Sequence, residues 1–150
     1  MIKISGIKLD QRTWILASII VLGAFLRIYN LGAESLWYDE VGSIDQATRS
    51  LPVLFSKFHL SPLYFVLLKY WMRLFGASEF VLRLPSVLFG VGALFLIYKI
   101  GQMLFNTRVG LLSSLILAIS PFHLFYCQEA RHYSLFIFLT LLSNFFFCGI

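Results

Sequence analysis

PLYFVLLKYWMRLF, residues 62–75, decides how the chain is arranged around a membrane, because counting it as a span would move every later residue to the other side. The segment is shorter than the about 20 residues that a spanning helix needs. Lys69 and Arg73 lie one turn apart on one helical face, while Ser61 suits the position before a helix and Pro62 its first turn. Its aromatic residues, of the type enriched at membrane interfaces, are Tyr64, Tyr70 and Trp71. We therefore predict a surface helix that does not cross the bilayer.

The composition of the whole chain is that of a membrane protein. Of its 150 residues, 59% are apolar and 13% are charged, and the mean hydropathy is +0.85. Soluble domains have about 45–50% apolar and about 25% charged residues, so a water-exposed globule, a disordered chain and a disulfide scaffold are excluded. Cys127 and Cys148 lie in apolar surroundings and indicate no redox site. Although the net charge is +5, no Lys/Arg cluster is dense enough to predict a nucleic-acid partner.

Four apolar runs are candidates for membrane spans. The first contains Arg27 near one end, from which a long side chain can extend to the lipid headgroups, and the second contains Arg83 near its start. Because the basic N-terminal segment is not followed by a cleavage site, we predict a retained anchor and not a signal peptide. The four predicted spans are 13–29, 80–98, 109–128 and 132–150. We thus expect an all-α polytopic fold with a long loop at 30–79.

The charges predict which side of the membrane each loop faces. The N-terminus and the turn at 99–108 share one side, which has five basic residues and one acidic residue. Cytoplasmic loops carry such an excess of Lys and Arg. The remaining seven basic and six acidic residues are nearly balanced. The opposite side, with the loop at 30–79 and the turn at 127–131, therefore faces outward and carries either a polar site or a merely solvated loop.

Two polar motifs flank the predicted spans on that outer side. In Leu36-Trp37-Tyr38-Asp39-Glu40, the carboxylates are either first-turn acids favoured by the helix dipole or a general base or metal ligand at the membrane surface. Gln128-Glu129-Ala130-Arg131-His132-Tyr133 lies between two long apolar runs, as an ordinary turn would. Because both motifs fall on the same predicted side, we also consider that they converge on one site.

Four cations form a third group of candidate site residues. An arginine fork matches the oxygens of a lipid phosphate, but the ends of spans and surface helices also carry cations that only contact headgroups. For any single one of these cations, ordinary contact with lipid headgroups is the favoured interpretation. The four residues are Arg27, Lys69, Arg73 and Arg83. The chain has no Gly-rich phosphate loop, CxxC pair, HExxH or GxSxG motif that would indicate another chemistry.

Five short motifs follow one another along the chain. They are LWYDE (36–40), SPLYFVLLKYW (61–71), SEFVLRLPS (78–86), LFNTRVGLL (104–112) and SPFHLFYCQEARHYSL (120–135). In this order they resemble the N-terminal part of the polytopic glycosyltransferases that use polyprenyl-phosphate sugars. Within the C-type glycosyltransferase superfamily, the similarity is to the protein O-mannosyltransferase and aminoarabinose-transferase group. The resemblance implies that 1–150 is the N-terminal part of such a transmembrane domain, with two juxtamembrane helices in its outer loop.

The resemblance also assigns roles to residues. It implies that the candidate catalytic residues are Asp39, as the base, and Glu40, its acidic neighbour. It places Glu129, Arg131 and Tyr133 beside the phosphate and sugar of the donor. Two of the four cations above, Arg83 and Lys69, complete the candidate substrate-binding residues. Many relatives have His-Pro-Pro-Leu-Tyr where this chain has His-Leu-Ser-Pro-Leu-Tyr at 59–64. Pro62 and Tyr64 are therefore carried over as structural, and the role of His59 stays open.

The implied reaction is inverting transfer of a sugar from a polyprenyl-phosphate donor to an acceptor hydroxyl at the outward face of a membrane. The expected partners are this donor, membrane lipids and an unidentified acceptor, and the expected location is a prokaryotic plasma membrane. Carboxylates at Asp39, Glu40 and Glu129 would suit a divalent metal ion, which stays open as a cofactor. Because the last predicted span stops abruptly at Ile150, we expect a fragment. The alternatives are a truncated inactive remnant and a non-catalytic subunit of a membrane complex.

Overall fold

The computed structural model describes residues 3–4, 7–8, 10–56 and 61–149. Within these ranges the chain forms eight helices and a small antiparallel hairpin that pairs β1 with β2. In chain order the elements are β1 (Lys3–Ile4), β2 (Ile7–Lys8), α1 (Gln11–Ile28), α2 (Tyr38–Thr48), α3 (Leu51–Ser56), α4 (Pro62–Phe75), α5 (Glu79–Leu104), α6 (Thr107–Ile119), α7 (Pro121–Cys127) and α8 (Tyr133–Cys148). The predicted all-α class is confirmed apart from the hairpin.

Two of these helices are long and apolar enough to cross a membrane by themselves. They are α1, with 18 residues, and α5, with 26. The predicted span at 109–128 is a bent pair, because α6 and α7 meet at an angle of 63°, and it provides a third candidate when the pair is counted as one. The apolar helix α8 has 16 residues, which is shorter than a full span requires. The structure thus supports two or three spans within the described ranges, and the prediction of about four is not confirmed.

The segment that decides the topology forms a helix with the predicted bounds. Pro62 occupies the first helical position, where its missing N–H is not needed, and α4 ends at Gly76, whose φ of 91° is accessible to glycine. With 14 residues, α4 does not qualify as a span. It packs into a core cluster formed by α2, α4, α5, α8 and the turn before α8. The buried members of this cluster are Ala47, Tyr64, Leu68, Leu82, Ala130 and Leu135.

The loop at 30–79 differs from the expected arrangement of two surface helices. It holds α2 and α4 as expected, but a third short helix, α3, lies between them. Asn30 turns the chain out of α1 with a φ of 62°, a left-handed conformation that asparagine tolerates better than most residues. The residues at 57–60, which include His59, lie outside the described residues.

The helix α5 packs against α1, α4, α6, α7 and α8. It approaches α6 closely at two glycines, where a Cβ built on Gly101 would lie 2.8 Å from the Cα of Gly110. Small residues at such a crossing allow two backbones to pack together inside a membrane. Nearby, the buried hydroxyl of Ser114 donates a hydrogen bond of 3.0 Å to the carbonyl of Leu94.

A proline inside α5 creates a carbonyl without its helical partner. Pro85 has no N–H, so the carbonyl of Val81 cannot receive the usual bond from the residue four positions later. The indole Nε1 of Trp71 donates to this carbonyl at 2.8 Å and thereby joins α4 to α5. The sequence predicted Trp71 only as an interfacial aromatic.

A second proline explains the bend between α6 and α7. Because Pro121 has no N–H, the carbonyl of Leu117 loses its helical donor, and α6 ends at Ile119. The guanidinium of Arg27 supplies the missing donors: Nη2 donates to the carbonyl of Leu117 at 3.2 Å and Nη1 to that of Ala118 at 3.2 Å. The bend is therefore stabilised from α1.

The burial of Arg27 corrects an expectation from the sequence. Its side chain does not extend to the lipid headgroups, because it is fully buried between helices. Nη1 also donates to the carbonyl of Gly23 at 2.8 Å, and Nη2 lies 2.6 Å from Nδ1 of His123, which accepts this bond as a neutral imidazole. A Cβ on Gly90 would lie 3.2 Å from Nε of Arg27, so the glycine makes room for the guanidinium.

Replacing Trp71 by phenylalanine tests the role of the indole N–H. Trp71→Phe leaves the carbonyl of Val81 without a donor, and we expect the free energy of unfolding to fall by about 1–3 kcal/mol. The matched control is Trp14→Phe, because the indole of Trp14 is exposed and we expect a change of at most about 0.5 kcal/mol. Chemical denaturation of the full-length protein in detergent measures both. Equal effects of the two substitutions would contradict the assignment.

Candidate functional site

The first polar motif begins α2. Trp37 precedes the helix with an extended backbone, and Asp39 and Glu40 occupy the first turn, where acidic side chains are favoured by the exposed N–H groups. Oε2 of Glu40 accepts a hydrogen bond of 3.0 Å from the backbone N–H of Trp37. This bond caps the helix and fixes the direction in which the Glu40 side chain leaves it.

Glu40 and Arg83 form a buried ion pair beneath this turn. Arg83 donates from Nε to Oε1 at 2.9 Å and from Nη2 to Oε2 at 2.8 Å, and Glu40 is only 1% exposed. Oε1 also accepts from the backbone N–H of Ala130 at 2.7 Å. Burial alone would raise the pKa of Glu40, but its bonds to Arg83, Ala130 and Trp37 outweigh burial and hold that pKa below its ordinary value.

The remaining N–H groups of Arg83 are also used. Nη1 donates to the carbonyls of Leu31 at 2.9 Å and Glu34 at 3.0 Å, and Nη2 donates to the carbonyl of Ser35 at 3.2 Å. An arginine side chain has five N–H donors, and all of them have partners here. Arg83, a predicted substrate-binding residue, therefore holds the outer loop against α5 and has no N–H left for a phosphate.

Lys69, another predicted substrate-binding residue, holds the end of α2. Its Nζ donates to the carbonyls of Ala47 and Thr48, each at 3.3 Å, and to that of Arg49 at 2.5 Å. These carbonyls have no partner within the helix, and a cation is favourable at a helix C-terminus. The three N–H groups of the ammonium are thus used by the fold.

Asp39 lies on the other side of the same helical turn. Its side chain is 71% exposed and accepts no hydrogen bond from the described residues, although Nη2 of Arg131 approaches Oδ2 to 3.7 Å. Nη1 of Arg131 donates to the backbone carbonyl of Asp39 at 3.1 Å, and Nη2 lies 3.4 Å from the hydroxyl of Tyr133. The two polar motifs of the sequence therefore meet in space.

Glu129 is the remaining predicted site residue on this turn. Its side chain is half-buried, and no described residue donates a hydrogen bond to its carboxylate. Burial raises the pKa of Glu129, and the negative charges of Glu40 and Asp39 raise it further, against the opposing effect of Arg131. Glu129 is thus an unpaired carboxyl group close to the buried ion pair.

A cavity of about 130 Å³ opens beside Glu129, between the chain that leaves α1 and the end of α7. We call it the Glu129 cavity. Its polar and aromatic lining includes Asn30, Glu34, Trp37, Arg83, Gln128 and Glu129. Within the described ranges, no group of three or more His, Cys, Asp or Glu side chains is arranged to hold a metal ion.

Gln128 contributes to the site in a way that the sequence did not predict. Its Nε2 donates to the carbonyls of Leu26, Arg27 and Tyr29, at 3.2, 3.3 and 3.0 Å. The end of α1 is thereby joined to the turn that carries Glu129. An amide next to a predicted turn was visible in the sequence, but its partners lie about one hundred residues away.

The structure therefore has helices that are long and apolar enough to cross a membrane, and a polar site at the start of the shorter helix α2. Residues 59–149 match the family of dolichyl-phosphate-mannose-protein mannosyltransferases, and the chain belongs to this family. Membership implies a glycosyltransferase that uses a lipid-linked sugar, which confirms the resemblance found in the sequence. The matched range contains Arg83 and the turn at 128–132, and it begins after α2. No curated protein and no solved structure matches the chain.

Removing Arg83 tests how much the buried pair stabilises the fold. Arg83→Met leaves the Glu40 carboxylate buried without its cation, and we expect the free energy of unfolding to fall by about 3–5 kcal/mol. The control is Arg49→Met, which breaks the exposed pair of Arg49 and Asp45, whose nitrogen and oxygen are 2.6 Å apart. That exposed pair contributes about 0.2–1 kcal/mol. Denaturation in detergent measures both changes, and a loss for Arg83→Met as small as the control's would show the pair to be dispensable.

Proposed function

We propose that the protein is an inverting membrane glycosyltransferase that moves a sugar from a polyprenyl-phosphate donor to an acceptor hydroxyl. In this proposal, 1–150 is the N-terminal part of its transmembrane domain. The observation that supports it most is the meeting of Asp39, Glu129, Arg131 and Tyr133 at one place, next to helices apolar enough to enter a bilayer. A donor with a polyprenyl tail requires a polar site of this kind at the membrane boundary.

Asp39 is the general base of the proposed reaction. Its exposed carboxylate has no hydrogen-bond donor among the described residues, whereas that of the neighbouring Glu40 has four. Oδ of Asp39 takes the proton of the acceptor hydroxyl while the oxygen attacks the anomeric carbon. The bond from that carbon to the phosphate oxygen breaks, and the polyprenyl phosphate leaves with the bonding electrons. Glu40 acts as a positioning residue.

Arg131 stabilises the departing phosphate. Of the three cations predicted to bind substrate, Arg83 and Lys69 use all their N–H groups within the fold. Arg131 keeps its Nε without a partner, and its bonds to Asp39 and Tyr133 are at 3.1 and 3.4 Å. A guanidinium matches two phosphate oxygens and loses no charge as the leaving group becomes more negative.

The proposed site faces outward. In this arrangement four segments cross the membrane: α1, α5, the bent pair of α6 and α7, and α8. The end of α5 and the start of α6, which carry Lys99 and Arg108, then lie at the cytoplasmic side, in agreement with the excess of Lys and Arg there. The location that we propose is the plasma membrane of a prokaryote.

Removing the carboxylate of Asp39 tests the base. We expect Asp39→Asn to lower the rate of transfer by about 100- to 10,000-fold, because the amide cannot accept the acceptor proton. The measurement is transfer of labelled mannose from polyprenyl-phosphate mannose by membranes that contain the full-length protein. Asp45→Asn is the control, since Asp45 lies on the same helix and its exposed carboxylate pairs, among the described residues, with Arg49. Normal transfer by Asp39→Asn would contradict the assignment.

The same assay, with the donor titrated, tests Arg131. A hydrogen bond to a charged group is worth about 1.5–3 kcal/mol, so we expect Arg131→Met to raise the donor KM or lower kcat/KM for the donor by roughly 10- to 100-fold. Arg73→Met is the control, because Arg73 is an exposed cation on α4. The melting temperature of each variant separates lost contact from lost folding. An unchanged dependence on the donor would remove Arg131 from the phosphate site.

A further inference from the structure

The side chain of Arg131 has few contacts that fix its position. Nη1 donates to the carbonyl of Asp39 at 3.1 Å, Nη2 lies 3.4 Å from the hydroxyl of Tyr133, and Nε is buried without a partner. The guanidinium also lies 5.5 Å from the centre of the Tyr133 ring. Because Tyr133 is two residues further along the same backbone, it moves with Arg131. The position of the guanidinium therefore depends on the backbone that carries it.

Two hydrogen bonds from other segments hold this backbone. The N–H of Ala130 donates to the carboxylate of Glu40 at 2.7 Å, and the carbonyl of Arg131 accepts from the hydroxyl of Ser86 at 3.3 Å. The helical bonds of α8 begin at the carbonyl of His132, so the carbonyl of Arg131 receives its donor from Ser86. One bond would let the turn rotate about it, whereas bonds on both sides of the Arg131 Cα fix its orientation.

Both bonds are supported from the same face of α5. Ser86 is fully buried and follows Arg83 by three residues, a spacing that places two side chains on one side of a helix. Arg83 holds the carboxylate of Glu40, which in turn accepts from Ala130. The helix α5 thus holds the turn at two points, through Glu40 at Ala130 and directly through Ser86 at the next residue.

The hydroxyl of Tyr64, on α4, favours this orientation of Ser86. A serine inside a helix can instead donate to the carbonyl four residues earlier, here that of Leu82. Burial raises the pKa of Tyr64 and the charge of Glu40 raises it further, while Ser86 and Arg131 lower it, so the phenol keeps its proton. Its oxygen is near that of Ser86 but is not aligned for a hydrogen bond in this structure. A serine oxygen that accepts from Tyr64 directs its own proton to Arg131.

We propose that Ser86 is a positioning residue for the transfer reaction, which holds the carbonyl of Arg131 so that the guanidinium meets the phosphate of the donor. The proposal rests on the proposed function, because Ser86 acts through Arg131 and touches no substrate itself. A displacement of about 1 Å at a reacting group can cost roughly 100-fold in rate. A bond that contributes little to stability can therefore matter to turnover.

Removing the Ser86 hydroxyl tests this role in the transfer assay, with polyprenyl-phosphate mannose titrated. We expect Ser86→Ala to lower kcat/KM for the donor by roughly 3- to 10-fold, the worth of one neutral hydrogen bond, and Tyr64→Phe to lower it by a smaller factor. The matched control is Ser114→Ala, which removes a buried hydroxyl that joins α6 to the carbonyl of Leu94 on α5. The control should lower the melting temperature and leave kcat/KM for the donor unchanged.

A double variant shows whether Ser86 acts through Arg131. In the Arg131→Met background, we expect Ser86→Ala to lower kcat/KM for the donor no further, because the group that it positions is already absent. A merely structural serine would give losses that add. Full additivity, or a loss in Ser86→Ala no larger than that of Ser114→Ala, overturns the positioning role.

Hydrogen exchange separates this inference from the proposed function. In the full-length protein in detergent, we expect peptides that cover 128–133 to exchange at least threefold faster in Ser86→Ala and at the unchanged rate in Ser114→Ala. Unchanged exchange in Ser86→Ala overturns the positioning role while the transferase proposal keeps its own tests. Faster exchange together with normal donor dependence in Arg131→Met overturns the phosphate assignment, and the positioning role with it.

Discussion

The bidentate ion pair between Glu40 and Arg83 is the interaction on which the rest of the site depends. It joins the start of α2 to α5, and its remaining donors and acceptors reach the outer loop and the backbone of Ala130. A buried ion pair is stable only when its polar groups are all satisfied, and a partly satisfied one is costly. Because four separate segments meet at this pair, Asp39 and Arg131 are neighbours although ninety-two residues separate them.

Two adjacent acidic residues have opposite environments for a simple geometric reason. Successive side chains on an α-helix are about 100° apart, so Glu40 points into the protein while Asp39 points out of it. In the turn opposite, the N–H of Ala130 donates to the buried carboxylate, and the next residue, Arg131, extends its side chain to the carbonyl of Asp39. In each motif, one residue stabilises the fold and its neighbour keeps a side chain at the candidate site: Glu40 and Asp39 in the first motif, Ala130 and Arg131 in the second.

Much of this arrangement could be predicted from the sequence, because it depends on apolar patterning and local rules. The bounds of α4, the helix that begins at Tyr38 and the meeting of the two polar motifs follow from run lengths, a proline and the predicted side of the membrane. The partners of the long cations could not be predicted in this way. Arg83 and Lys69 have the same sequence surroundings as headgroup ligands, and only the fold shows that their donors are already used.

The two prolines show what the apolar pattern leaves out. Pro85 and Pro121 each leave a carbonyl without its helical donor, and a membrane has no water to replace it. The donors come from side chains of other helices, Trp71 in one case and Arg27 in the other. Ser120-Pro121 could have indicated the start of a new helix, since proline prefers the first turn. The apolar run at 109–128, however, continues through these two residues and predicted one unbroken span.

The first helix, α1, supports the site because carbonyls without a helical donor need donors from other helices. Arg27, on α1, donates hydrogen bonds to the carbonyls at the bend before α7. In the other direction, the amide of Gln128, just after α7, donates to carbonyls at the end of α1. The turn with Glu129 and Arg131 is thus held by the end of α1 through Gln128 and by the start of α2 through Glu40. A helix that contributes no candidate catalytic side chain is therefore as necessary to the geometry of the site as the helix that carries Asp39.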